Sequence, residues 1–298
     1  MYESFFNFHT PPFASTPDPA FFFESEQHGE AFAAVEFALR TRQGVTIITG
    51  DLGAGKTTVA RTITQRLDGA ATIVPVLFGV TGREEMIRHM LRRLGTHTDR
   101  AADHSELLET LLAVLAQRPR EAGPLVLLVD EAQTLSDEVL DELRLLTTLD
   151  QRGMQDLCVV LVGQHELLDR LANPRLAALR HRVATIRQLA GFDHRTTLHY
   201  IQHRIRTASR NPDALGVHLK ADAIHEIHRY SGGVPRLINH VCDHALLLAY
   251  VRQQHGLTGV VVRAVVHEML PQVSKRLHGD APLARIDPGH HNTLARSA

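Results

Sequence analysis

The 298-residue chain has no tryptophan, two cysteines and a formal net charge of −1 at neutral pH. Cys158 and Cys242 lie far apart in segments that read as a strand and a helix. Each thiol is therefore expected to be a reduced core residue, which suits a cytoplasm. The near-zero charge gives no global attraction to nucleic acid or anionic membrane and leaves only local basic stripes. No apolar run approaches the roughly 18 residues that a membrane span needs, and the start Met1-Tyr-Glu-Ser-Phe-Phe6 lacks a basic leader. The expectation is a soluble, cytoplasmic protein with no transmembrane segment. Apolar content is ample for one large domain or two smaller ones.

Histidine, by contrast, is abundant at 20 copies. His199 with His203, and His240 with His244, are spaced i,i+4 on expected helices, but the sequence sets no third ligand beside either pair and contains no H-E-x-x-H. Helix-surface or core histidines are the plainer expectation.

Gly50-Asp-Leu-Gly-Ala-Gly-Lys-Thr57 fits G-x-x-x-x-G-K-[ST], and each fixed position has a physical task. Gly50, Gly53 and Gly55 let the backbone turn tightly enough for successive N–H groups to face phosphate oxygens, which a Cβ would obstruct. Lys56 brings a positive charge to the β- and γ-phosphates, and Thr57 offers a hydroxyl to Mg2+. The helix that begins there adds its positive dipole end. The expected nucleotide-binding set is Gly50, Asp51, Leu52, Gly53, Ala54, Gly55, Lys56, Thr57 and Thr58. A β-branched strand at 45–49 before the loop and a helix at 57–67 after it supply the context the motif requires.

Leu125-Val-Leu-Leu-Val129 is a second continuous apolar run, and it ends in Asp130 and Glu131. A buried strand of this kind delivers acids to the carboxyl edge of a sheet, where open α/β folds bind ligands. Asp130 is placed to hold Mg2+ and Glu131 to orient and deprotonate an attacking water. Taken with the phosphate loop, the pair points to binding and hydrolysis of ATP. No N-K-x-D guanine-reading motif is present.

Nine of the eleven phenylalanines fall in the first 37 residues, an apolar segment expected to strap onto the core ahead of the phosphate loop. Strands are expected at 73–77, 157–162 and 183–189. Helices are expected at 83–94, 105–117, 137–149 and 166–171, and another carries Arg175, Arg180 and Arg182 after the break at Asn173-Pro174. Alternating strands and helices argue for an α/β fold with a mostly parallel sheet over 1–190. From Gly191 the pattern becomes helices alone, at 195–208, 221–231, 234–254 and 260–270, which makes a small all-α domain over 191–270. Residues 271–298 read as a disordered tail.

Gly232-Gly-Val-Pro-Arg236, opening a helix after the α/β domain, resembles the AAA+ ATPases, P-loop NTPases in which a helical lid follows the nucleotide-binding domain. Met1-Tyr-Glu-Ser-Phe-Phe6, Pro12-Phe13, Thr16-Pro-Asp-Pro19, Ser25-x-x-His28, Asp130-Glu-Ala-Gln133, Gly163-Gln164 and Ser231-Gly-Gly-Val-Pro-Arg-Leu-Ile-Asn239 resemble the general secretion pathway protein A (ExeA-type) ATPases over residues 1 to 270. The resemblance implies that Gln164 contacts the γ-phosphate or the attacking water. It implies that Arg236 senses the γ-phosphate from the lid, and that Arg180 or Arg182 reaches a neighbouring subunit's ATP as an arginine finger. It also implies a homo-oligomer acting on a protein partner in secretion or envelope biogenesis. The same core resembles ATPases of transposition systems, so a DNA-bound regulator is an alternative. In that case Arg88, Arg92 and Arg93, or Arg204, Arg206 and Arg210, would touch phosphates. A nucleotide-gated switch with negligible turnover is a further alternative, against which Glu131 and Gln164 count.

Overall fold

Five strands form one parallel sheet in the order β2-β3-β4-β1-β5, where β1 is Val45–Gly50, β2 Thr72–Val76, β3 Leu125–Val129, β4 Leu157–Gly163 and β5 Val183–Leu189. The computed structural model describes residues 1–278 other than 15, 17, 42, 43, 77–81, 150–156 and 214. The central strands β1, β3 and β4 are buried along their whole length, as their unbroken apolar or β-branched runs require. At the edges β2 is only partly buried, and β5 is accessible along its length except at Leu189.

Helices α1 (Glu26–Thr41) and α2 (Lys56–Arg66) cover one face, burying Phe32, Val35, Val59 and Ile63 against Ile48, Leu128 and Val160. The other face is covered by α3 (Arg83–Arg93), α4 (His104–Gln117), α5 (Asp137–Leu149) and the short helices α6 (Glu166–Leu171) and α7 (Ala177–Arg180). Asp103 and Glu106 cap α4 reciprocally, each accepting the other's backbone N–H at 3.0 Å. The result is a three-layer α/β sandwich.

Beyond the sheet lie α8 (His194–Ala208), α9 (Ala221–Ser231), α10 (Pro235–Val251) and α11 (Gly259–His278), with β6 (His218–Leu219) and β7 (Gly256–Leu257) paired parallel beside them. Asp193 caps α8 by accepting the Thr196 N–H at 2.6 Å. Gly232 ends α9 in a left-handed conformation, and Pro235 opens α10 at a position where its missing N–H costs nothing. Helix α11 continues through Pro271 to His278, so the point at which a tail was expected to begin falls within a helix. Residues 279–298 lie outside the described residues.

The phenylalanine-rich segment divides between two cores, with Phe32 and, against it, Phe22 in the one beside the sheet. Phe6, Phe8, Phe13 and Phe21 are buried with Ile201, Ile205, Val241 and Leu246 in the core of the helical bundle, not on the sheet. Arg204, itself buried, fastens this segment by donating to Pro12 O at 2.5 Å, with its guanidinium 4.9 Å from the Phe21 ring centre. Arg210 donates to Phe8 O at 3.1 Å. A helix, α1, then follows where the sequence reading expected only a strap. The helix expected to carry Arg175, Arg180 and Arg182 is a 3-10 turn at Pro174–Leu176 followed by the single turn α7.

Candidate nucleotide-binding site

Because the sheet is parallel, the chain leaves β1, β3 and β4 at one edge. The register pairs Thr49 with Gly163 and Val129 with Leu161, and the Asp130 N–H still donates to Val76 O at 3.0 Å. The phosphate loop, the two acids and Gln164 therefore emerge side by side. Since β4 lies between β1 and β3, Gln164 follows the strand that separates the loop from the acids.

Gly53 and Gly55 have φ of 87° and 97° respectively, so the loop closes in a conformation that side chains disfavour. Helix α2 starts at Lys56 with no side-chain cap, which leaves its first N–H groups available to an anion. Lys56 is 5% exposed, and its ammonium donates to Gly50 O at 2.8 Å and Asp51 O at 2.9 Å. Burial lowers its pKa, while the fields of Glu131, Asp130, Asp51 and Glu166 act in the opposite direction. Thr57 and Thr58 are exposed.

Asp130 is 5% exposed, and its Oδ1 accepts the Glu131 N–H at 2.9 Å. Anchoring one oxygen in this way orients a buried carboxylate, and the hard oxygens of Asp130 and Thr57 suit Mg2+. Glu131 has φ of 54°, an uncommon conformation for a residue with a side chain, and it caps a 3-10 turn at Ala132–Thr134. Half-buried, its Oε2 accepts from Gln133 Nε2 at 2.6 Å. Among the described residues no group of three His, Cys, Asp or Glu side chains is arranged to hold a metal by itself.

Arg236 reaches this site from the helical bundle. Its backbone N–H donates to Gly53 O at 3.3 Å, and a Cβ at Gly53 would stand 2.6 Å from its own Cβ. Arg180 and Arg182 are not brought to the site within this chain. They precede β5, whose first residue Val183 pairs with Val45, so they sit at the opposite edge of the sheet. Arg180 Nη1 donates to Leu171 O at 3.4 Å and Ala172 O at 3.2 Å.

His28 and Gln133, which carry part of the family resemblance, also line the site. His28 is buried, with Nε2 3.4 Å from where a Gly55 Cβ would be. Gln133 bridges Glu131 and Gln164. Gln133 lies two residues after Glu131 and His28 three after Ser25, which was the available signal, but which side chains converge depends on the turn geometry. Of the arginines weighed as phosphate contacts, Arg204 and Arg210 fasten the N-terminal segment, and Arg88 donates to Ala102 O at 2.5 Å. Arg92, Arg93 and Arg206 are exposed.

Residues 39–171 match the family described as AAA domain. General secretion pathway protein A of Aeromonas hydrophila is 34% identical over 273 residues, an alignment that takes in 90% of this chain and 48% of that protein. The chain is a relative of that protein with an AAA+ P-loop fold. It spans about half the length of the relative it matches. Among solved structures, the ORC2 protein of Aeropyrum pernix superposes with a TM-score of 0.65 at 18% identity, covering 88% of this chain and 72% of the other. The Cdc6p of Pyrobaculum aerophilum gives 0.65 at 18%, covering 86% and 70%. The RuvB Holliday junction branch migration motor of Thermotoga maritima gives 0.53 at 19%, covering 83% and 70%. At such identities these likenesses establish the fold alone. Among the described residues no helix is long and apolar enough to cross a membrane.

Proposed function

We propose that this chain is an ATPase that binds ATP with Mg2+ and uses its hydrolysis to assemble or remodel a protein partner. The observation that carries this reading is the meeting of Lys56, Asp130, Glu131 and Gln164 at one sheet edge. Backbone N–H groups of residues 50–58 and the start of α2 would cradle the phosphates, and Lys56 would supply a mobile charge to the β- and γ-oxygens. Thr57 and Asp130 would hold Mg2+, which when bound neutralises charge on the phosphate oxygens. Glu131 takes a proton from the attacking water as its oxygen bonds to the γ-phosphorus. The bond from that phosphorus to the β–γ bridging oxygen breaks, and ADP and phosphate leave. Gln164 orients the water or γ-phosphate from the adjoining strand end.

Arg236 would couple the helical bundle to the presence of the γ-phosphate. Arg180 or Arg182, at the far edge of the sheet in their own chain, would serve a neighbouring copy, so hydrolysis depends on a homo-oligomer. The relative's name, general secretion pathway protein A, supports a partner in secretion. The structural roles of Arg88, Arg204 and Arg210 count against a DNA-contacting surface built from those stripes.

The test is the ATPase rate as a function of protein concentration, with and without duplex DNA. A specific rate that rises with concentration and is indifferent to DNA supports an assembly ATPase. A rate that needs DNA, with duplex binding that weakens steeply in salt, supports the DNA regulator instead.

A further inference from the structure

Gln133 stands two residues beyond Glu131, on the 3-10 turn Ala132–Thr134, and its amide is engaged at both ends. Nε2 donates to Glu131 Oε2 at 2.6 Å, and Oε1 accepts the Gln164 N–H at 3.0 Å. The partners fix the orientation of the amide. Turned over, it would set its NH2 against the Gln164 N–H and its oxygen against a carboxylate, and both contacts would be repulsive.

The surroundings are built to accept it. A Cβ at Gly163 would lie 2.8 Å from Gln133 Oε1, so the glycine that ends β4 leaves the space the amide oxygen occupies. The main chain of Gln133 is held as well. Arg170 Nη1 donates to Gln133 O at 2.8 Å and to Leu135 O at 2.5 Å, and Arg170 pairs with Asp137 at the start of α5. The turn that carries the base is thus clamped between α5 and α6, and the amide spans the gap from base to β4.

We propose that Gln133 is a positioning residue for water activation: its amide holds one carboxylate oxygen of Glu131, ties it to the main chain of Gln164, and leaves the other oxygen to take the proton from water. This role rests on the ATPase reading above. It predicts an effect on turnover and not on nucleotide affinity, since the amide touches the base rather than the phosphate loop. A Met at this position keeps the length but neither donates nor accepts. A Glu keeps the acceptor for the Gln164 N–H, loses the donor and sets a like charge against Glu131.

The experiment measures kcat, KM and ATP affinity for wild type, Gln133→Met, Gln133→Glu and Glu131→Gln, and for Gln133→Met combined with Glu131→Gln. The expected result is a kcat lowered about ten- to a hundredfold in Gln133→Met, the size of a lost hydrogen bond to a charged group. Gln133→Glu should fall at least as far, and both should keep ATP affinity within about twofold. Combined with Glu131→Gln, the Met change should add nothing, because the base it positions is already gone. Three results overturn the role: an unchanged kcat in both single variants, a raised KM at constant kcat, or the same fractional loss with and without Glu131. If Gln133→Met does not fold, the Glu variant alone decides, since an unchanged kcat there overturns the role. A wild type that turns over no ATP, or Glu131→Gln at full rate, overturns the ATPase reading itself, and the role with it.

Discussion

The backbone N–H of Arg236 donates to the carbonyl of Gly53 at 3.3 Å, which seats the first turn of α10 directly on the phosphate loop. Val234 Cγ1 lies 3.3 Å and Arg236 Cβ 2.6 Å from the place a Gly53 Cβ would take. A substitution of Gly53 is therefore opposed twice, by its φ of 87° and by the bundle above it. Gly53→Ala is expected to cost about 1–3 kcal/mol of loop strain and to weaken ATP binding roughly tenfold or more. Calorimetric titration checks this, and wild-type affinity in the alanine variant would contradict the contact.

Glu131→Gln keeps the shape of the side chain but cannot take a proton. ATP binding should survive, and turnover should drop by about 10² or more. A steady-state assay beside a binding titration separates the two. Unchanged turnover would remove Glu131 as the base.

Arg180 and Arg182 sit at the edge of the sheet opposite the phosphate loop, so neither can reach ATP in its own chain without rearrangement. Mixing Arg180→Ala or Arg182→Ala subunits with Lys56→Ala subunits should restore some hydrolysis, because one copy then supplies a working loop and the other a working arginine. An absence of rescue at every mixing ratio would count against action in trans.

Arg204 on α8 ties the N-terminal segment to that helix through Pro12 O, and its Nη1 donates within the helix to the Tyr200 hydroxyl at 3.0 Å. Arg204→Met keeps much of the apolar stem but leaves Pro12 O without this donor. The expected loss is about 2–3 kcal/mol of unfolding free energy, measured by urea denaturation. An unchanged midpoint and slope would show that Arg204 does not hold the segment.

Much of the sheet was legible in the sequence because its central strands are continuous apolar or β-branched runs, and Val45–Gly50, Leu125–Val129 and Leu157–Gly163 fall within a residue of their expected bounds. The turn between β1 and α2 was legible because its glycines lie close together in the sequence, directly before the helix that starts at Lys56. What was not legible depends on packing across distant parts of the chain. Hydrophobicity alone announced that Phe6, Phe8 and Phe13 must be buried but not that the bundle, rather than the sheet, buries them. Helix α1 escaped notice because much of its buried face is small, with Ala31, Ala34 and Ala38 beside Phe32 and Val35. The role of Gln133 is invisible without the strand order, since only the placement of β4 next to β3 brings the Gln164 N–H to its amide.

The central claim is that triphosphate oxygens bind in the loop at residues 50–57 around Lys56. Calorimetric titration of Mg2+-ATP into wild type and Lys56→Ala tests it most directly. The account predicts saturable binding to the wild type and affinity at least about a hundredfold weaker in the variant, near 2.7 kcal/mol. Equal affinity in the two proteins would contradict it.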